Sequence, residues 1–369
     1  MPVHLHAIHT WTPARTYTQE EAAAELEPQF ESKRTRRILR HIYRHSGIDR
    51  RHIALDRFGS TEAGALFADK GDGRWENPGT GDRNRFFRQV SQQASVELAR
   101  DTLDAAKGFS ASDITHVITA SCTGFYNPGP DYHIIRELGL SDEVERFHLG
   151  FMGCYAAFPA MRMANTICET NPDAVVMIQC LELCSLHLQL GTDNEEALIS
   201  GSIFADGAGC ALVSARPPED VATGYRFRSL SSTLTPTGED SMAWEVGNNG
   251  YEIVLSSYVP HILGENIRGT LNPKLKEEGW EVSDVDFWCV HPGGKAILDR
   301  ISQAMELPDD ALDIARDVLR QNGNMSSATI FFLLAQALDE GKTGNTAAMA
   351  FGPGLTVEMA FLDRIGEPG

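Results

Sequence analysis

The chain repeats part of itself. Residues 112–124 read SDITHVITASCTG and residues 283–294 read SDVDFWCVHPGG; in each, a Ser-Asp pair opens an apolar run that gives way to glycine. Asp113 and Asp284 lie 171 positions apart. A second pair follows at almost the same offset. Gly153-Cys154 leads into YAAFPAMRMANTICE and the short apolar run AVVMIQC, while Gly323-Asn324 leads into MSSATIFFLLAQALDE and then TAAMAFG. Cys154 and Asn324 are 170 positions apart. Two unrelated anchor pairs sharing nearly one offset predict a duplicated unit. Each copy reads as a helix leading to a buried strand. Phe158, Met161 and Ala164–Asn165 fall on one side of the first helix, and Ile330, Leu333, Leu334 and Leu338 on one side of the second. Short continuous apolar runs are what strands become when both faces of their sheet are covered. The expectation is an α/β body in two halves, 1–216 and 221–369. Adjacent prolines in RPPED at 216–220 cannot continue a sheet interior and place a hinge between them. Residues 70–84 read as a surface loop.

Composition excludes some functions. The chain has 369 residues, of which 42% are hydrophobic and 22% charged, as in ordinary folded domains. Its 51 acidic against 32 basic residues give a net charge of −19, which repels phosphate backbones and argues against nucleic acid as partner. No window approaches the run of about 18 apolar residues that suggests a membrane span. The opening MPVHLHAIHTWTP has neither a basic nor an apolar signal region, so no secretory signal is expected. Seven scattered cysteines, an odd number, fit a reducing, cytoplasmic setting with at least one thiol free for chemistry.

The repeat places Cys154 and Asn324 at equivalent positions, each expected in the first turn of a helix. Unpaired N–H groups and the positive dipole end there lower a thiol's pKa and favour an oxyanion. Taken alone, Cys154 is better explained as a small core residue. His291 weighs against that: it closes the run FWCV ahead of Pro-Gly-Gly, at a strand's C-terminal mouth where α/β sites gather. Three polar groups at matched ends of a duplicated unit form a catalytic candidate.

GCYAAFPAMRMAN, HPGGKAILDRI, NGNMSSATIFFLL and FGPGLTVE resemble signature stretches of the type III polyketide synthases, the chalcone synthase family, in order along residues 30 to 362. The resemblance implies a thiolase fold, two duplicated halves in a layered αβαβα arrangement, and a homodimer in which the loop around Asn127 reaches the partner's cavity. It implies an acyltransferase that condenses malonyl-CoA onto an acyl-CoA starter, ending in a pyrone or resorcinol-type product. Cys154 would be the nucleophile. His291 would be its ion-pair partner and general base. His291 and Asn324 together would stabilise the enolate left by decarboxylation. No metal or redox cofactor is implied. A ketoacyl-synthase III-like enzyme making one condensation, and a non-catalytic thiolase-fold binding subunit, are the alternatives.

The same resemblance assigns Phe204 as a gatekeeper and places Ile253 where the family keeps a second gatekeeper phenylalanine. Cys122, Cys184 and His187 match cavity-lining positions and lean toward a fatty-acyl starter. GPG at 352–354, with Gly354 as its pocket residue, would form a backbone wall beside the cysteine. KRTRRILRHIYRHSGIDRR at 33–51 is basic within an acidic chain. Arg37, Arg40 and Arg44 share one helical face there and suit the phosphates of coenzyme A, with Lys295 as a further contact. The equal alternative is a solvated face of intramolecular ion pairs. Cys180, Cys184 and His187 have a spacing that suggests zinc, but no fourth ligand is evident and metal is not expected.

Overall fold

A computed structural model describes residues 1–62, 64–217 and 224–365 of the chain. In chain order its strands are β1 (His4–Trp11), β2 (Thr16–Thr18), β3 (Arg50–His52), β4 (His116–Ser121), β5 (Glu145–Gly150), β6 (Val175–Leu183) and β7 (Asp206–Ser214). The second half adds β8 (Gly224–Leu234), β9 (Met242–Gly247), β10 (Gly250–Leu255), β11 (Phe287–Val290), β12 (Gly344–Gly352) and β13 (Thr356–Ile365). Residues 218–220 of the expected hinge lie outside the described residues; β7 and β8 flank them.

The duplication is visible in the pairing. In the first half β6 runs parallel to β4 and antiparallel to β7, which is antiparallel to β1. In the second, β12 runs parallel to β11 and antiparallel to β13, which is antiparallel to β8. The halves join where β1 meets β8 through two residue pairs, His4↔Arg226 and Leu5↔Tyr225. The sheet order is β11-β12-β13-β8-β1-β7-β6-β4-β5, so β5 is an edge strand. Even the repeated Ser-Asp has one local task. Asp113 accepts the Ser110 N–H at 2.9 Å and Asp284 accepts the Glu281 N–H at 2.8 Å, each closing a 3-10 turn before its strand.

Alternation along β6 explains its apolar run. Val176, Ile178 and Cys180 belong to the core around the central helices, while Val175, Met177 and Leu181 belong to the core under the helix Thr80–Ala105. Each such side chain contributes roughly 1.5–3 kcal/mol by leaving water. The two central helices touch both halves: Ala157–Thr170 packs on β4, β6 and β7 but also on β8 and β13, and Thr329–Asp339 packs on β11 but also on β1 and β7. Thr80–Ala105 covers β1, β6 and β7 from outside, and Val259–Glu278 sends Leu263, Ile267 and Leu271 into the second half's core. The layers therefore run helix, sheet, central helices, sheet, helix. The loop expected over 70–84 ends at Gly79, because a helix begins at Thr80, and Trp75 within it is buried. Among the described residues no helix is long and apolar enough to cross a membrane.

Candidate active site

Cys154 and Asn324 are set by the same device in the two copies. Each follows a glycine of positive φ, +82° at Gly153 and +75° at Gly323, a conformation glycine adopts without side-chain strain. Neither residue lies inside the first helical turn, as the sequence suggested. Cys154 sits in the turn before Ala157, and Asn324 in a bridge before the 3-10 turn Ser326–Ala328. The Asn324 backbone is clamped on both sides: its N–H donates to the Ile203 carbonyl at 3.0 Å and its carbonyl accepts the Ala205 N–H at 2.9 Å. His291 continues the β11–β12 ladder, its N–H donating to the Met349 carbonyl at 2.8 Å.

The three side chains line one cavity of about 40 Å³, shared with Cys122, Ser326, Phe204, Trp244 and Ile253. Both ring nitrogens of His291 are buried and without a hydrogen-bond partner. The Asn324 amide is oriented: its Oδ1 accepts the Ser326 N–H at 2.8 Å, which leaves the NH₂ edge as the donor. Burial pushes the Cys154 thiol up to about 11, although hydrogen bonds from Ser326 and Asn324 pull the other way. Burial also takes the His291 imidazole down to about 3. The expected lowering of the thiol pKa is therefore reversed, because loss of solvent outweighs those hydrogen bonds. Near neutral pH burial keeps each group neutral by itself.

A second cavity, of about 250 Å³, adjoins the first. Phe204, Trp244 and Ile253 line both and so form the boundary. Cys184 and His187 line the larger cavity and not the one around Cys154. His187 is fully engaged: its Nε2 contacts the Thr123 carbonyl at 2.7 Å, its Nδ1 accepts the Tyr251 N–H at 2.9 Å, and its ring stacks on Tyr251. This holds the β9–β10 hairpin over the cavity. Among the described residues no group of three His, Cys, Asp or Glu is placed to hold a metal.

Gly354 is a correction. It is exposed and lines neither cavity; a Cβ there would meet Thr356 and Leu234. The close approach belongs to Gly352, where a Cβ would lie 2.5 Å from the Tyr155 ring and 3.6 Å from the Cys154 nitrogen. Phe351 and Pro353 form that wall instead. On the helix Lys33–His45, Thr35, Leu39 and Tyr43 face inward and Arg37, Arg40 and Arg44 outward. Arg40 is already paired with Glu27 at 2.6 Å, whereas Arg37, Arg44 and Lys295 have no ion pair among the described residues. Lys295 packs against Gly47, just past the helix end.

Two residues escaped the sequence reading. Ser326, at φ 49°, turns its hydroxyl to the Cys154 thiol, a conformation that the letters MSSA do not announce. Glu182, hidden in the strand run as LELC, is fully buried. Its carboxyl accepts the Cys122 N–H at 2.9 Å and the Thr123 hydroxyl at 2.8 Å, and binds the Ser327 hydroxyl, tying both copies together behind Cys154. Burial raises it to about 7.

Comparison with known proteins now bears on this geometry. Residues 2–217 match the family described as chalcone and stilbene synthases, N-terminal domain, and residues 226–366 match its C-terminal domain. The alpha-pyrone synthesis polyketide synthase-like Pks18 of Mycobacterium tuberculosis is 28% identical over 98% of this chain and 91% of its own length. The 1,3,6,8-tetrahydroxynaphthalene synthase of Streptomyces coelicolor is 33% identical over 78% of this chain and 76% of its own. Among solved structures, PKS-I from the brown alga Ectocarpus siliculosus superposes with a TM-score of 0.90 at 28% identity, covering 99% of both chains.

Proposed function

Since the chain belongs to the chalcone and stilbene synthase family and is a type III polyketide synthase, an acyltransferase of thiolase fold, we propose that it extends a fatty-acyl starter on Cys154. The observation that carries the starter class is the larger cavity beyond Phe204 and Ile253, whose wall includes Ala22, Leu26, Ile53, Phe58, Trp75 and Leu188. Each methylene buried against such a wall contributes about 0.8 kcal/mol.

The chemistry proceeds from groups already placed. The Cys154 thiol attacks the acyl-CoA carbonyl while His291 takes its proton; the coenzyme A thiolate leaves and is reprotonated. Malonyl-CoA then sets its thioester carbonyl between the His291 ring N–H and the Asn324 NH₂. Carbon dioxide leaves, the electron pair stays as an enolate held by those two donors, and its carbon attacks the Cys154 thioester. Neither metal nor redox cofactor enters these steps. The extended chain returns to Cys154 for further rounds, and ring closure releases a pyrone or resorcinol-type product; an alpha-pyrone and a naphthalene synthase are among the relatives. Arg37, Arg44 and Lys295 would receive the coenzyme A phosphates. The edge strand β5 with exposed Phe147 and Tyr132, beside the exposed loop of Asn127, favours a homodimer across that edge.

The test is incubation with radiolabelled malonyl-CoA and acyl-CoA starters from acetyl to palmitoyl plus an aromatic one, with products identified by mass. Long-chain products with two or more malonyl units, absent with Cys154→Ala, are expected. A preference for the aromatic starter would overturn the starter assignment. A single condensation that requires an acyl carrier protein would overturn iterative extension.

A further inference from the structure

Trp244 is one of three side chains on the boundary between the cavities, and its Nε1–H is buried without a hydrogen-bond partner. A buried donor lacking an acceptor is destabilising, and the surroundings supply none. Phe204, His187 and Tyr251 meet the indole in near-perpendicular, edge-type contacts, with centroids at 6.1, 5.9 and 6.4 Å. Both nitrogens of His187 are engaged with Thr123 and Tyr251. An alkyl tail crossing the boundary would bring no acceptor either. A β-ketoacyl chain would: it carries a carbonyl oxygen on every second carbon, nearest the thioester, where the chain passes between Cys154 and the larger cavity.

We propose that the Trp244 Nε1–H donates a hydrogen bond to a keto oxygen of the growing chain at this boundary, making Trp244 a specificity-determining residue for β-ketoacyl over reduced acyl chains. The assignment rests on the polyketide synthase reading of the site. It gives the two parts of an intermediate different places, the starter tail in the larger cavity and the keto units at the indole.

The experiment uses full-length Cys154→Ala, which binds thioesters without turnover, and two ligands of equal carbon count, acetoacetyl-CoA and butyryl-CoA. The chain has five tryptophans, so five indole N–H resonances are followed by nitrogen-15 NMR and that of Trp244 is assigned by its loss in Cys154→Ala/Trp244→Phe. Acetoacetyl-CoA should move the Trp244 resonance downfield and butyryl-CoA should not. Trp244→Phe should weaken acetoacetyl-CoA binding about tenfold and leave butyryl-CoA unchanged. The comparison of the two ligands in Cys154→Ala stands even if the phenylalanine variant folds poorly, because the ligand-specific shift is read there. If both thioesters bind and no indole resonance distinguishes them, the N–H is satisfied by the neighbouring rings and the proposal falls alone. If neither binds, the active-site reading falls first and the proposal with it.

Discussion

The two adjoining cavities differ in origin as well as size. The catalytic end of the small one is built from the repeat, with Cys154 and Asn324 after matched glycines and His291 at the end of β11, and the β9–β10 hairpin closes it with Met242, Trp244 and Ile253. The large one gathers Tyr17, Leu26, Tyr43, Phe58 and Trp75 from the first eighty residues, together with Cys184, His187 and the β9–β10 hairpin. Chemistry requires a few atoms in fixed mutual positions, which a duplicated backbone supplies. Accommodation of a chain requires a surface, which scattered side chains can supply in many ways. The difference predicts that changes in the small cavity alter whether bonds form, whereas changes in the large one alter which substrate is chosen.

The largest effect tests the first half of that statement. Asn324→Ala removes one of two enolate donors, and malonyl-CoA decarboxylation should fall by about 10²–10³ while acyl transfer to Cys154, measured by mass of the intact protein, persists. Loss of loading in the same variant would show that Asn324 is needed earlier.

Next in size is a pH profile. The proposed transfer of the Cys154 proton to His291 gives a thiolate–imidazolium pair whose fraction does not depend on pH, whereas burial alone, which pushes the thiol up to about 11, would make the thiolate fraction climb with pH. Alkylation of Cys154 by iodoacetamide should therefore be flat from pH 7 to 9. In His291→Ala the thiol has no internal acceptor, and the rate should climb about tenfold per pH unit, because the thiolate fraction does. A climbing wild-type profile would separate the two residues functionally.

The smallest change belongs to the large cavity. Ala197→Phe places a ring into it from the helix Glu195–Ile203. It should lower kcat/KM for palmitoyl-CoA about tenfold and leave acetyl-CoA within about twofold, the size expected when a few buried methylenes are displaced. Equal losses for both starters would mean that this cavity does not hold the acyl tail.

How much could be read beforehand follows the same division. Offsets of 170 and 171 residues carried the duplication, and the alternating cores on β6 show why its apolar run was a reliable strand signal. Phe204 and Ile253 do line the small cavity, and Cys122 with them, its sulfur accepting the Gly153 N–H at 3.0 Å. Gly354 failed because the letters GPG do not say which glycine approaches the cysteine; that depends on how Pro353 meets Gly153. Trp244 and Glu182 were passed over because an aromatic or an acid within an apolar run looks like core or exception until its neighbours are known.

By itself, then, the sequence determined the repeat and the sheet's buried strands, which rest on periodicity and on spacing along the chain, and it singled out Cys154, His291 and Asn324 through the repeat together with the family resemblance. Only the tertiary structure decided the partition between two cavities, the orientation of the Asn324 amide, the orphan N–H of Trp244 and the reversal of the Cys154 pKa. Each of those depends on which distant side chains exclude water from a given atom, and desolvation and closeness in space have no counterpart in linear order.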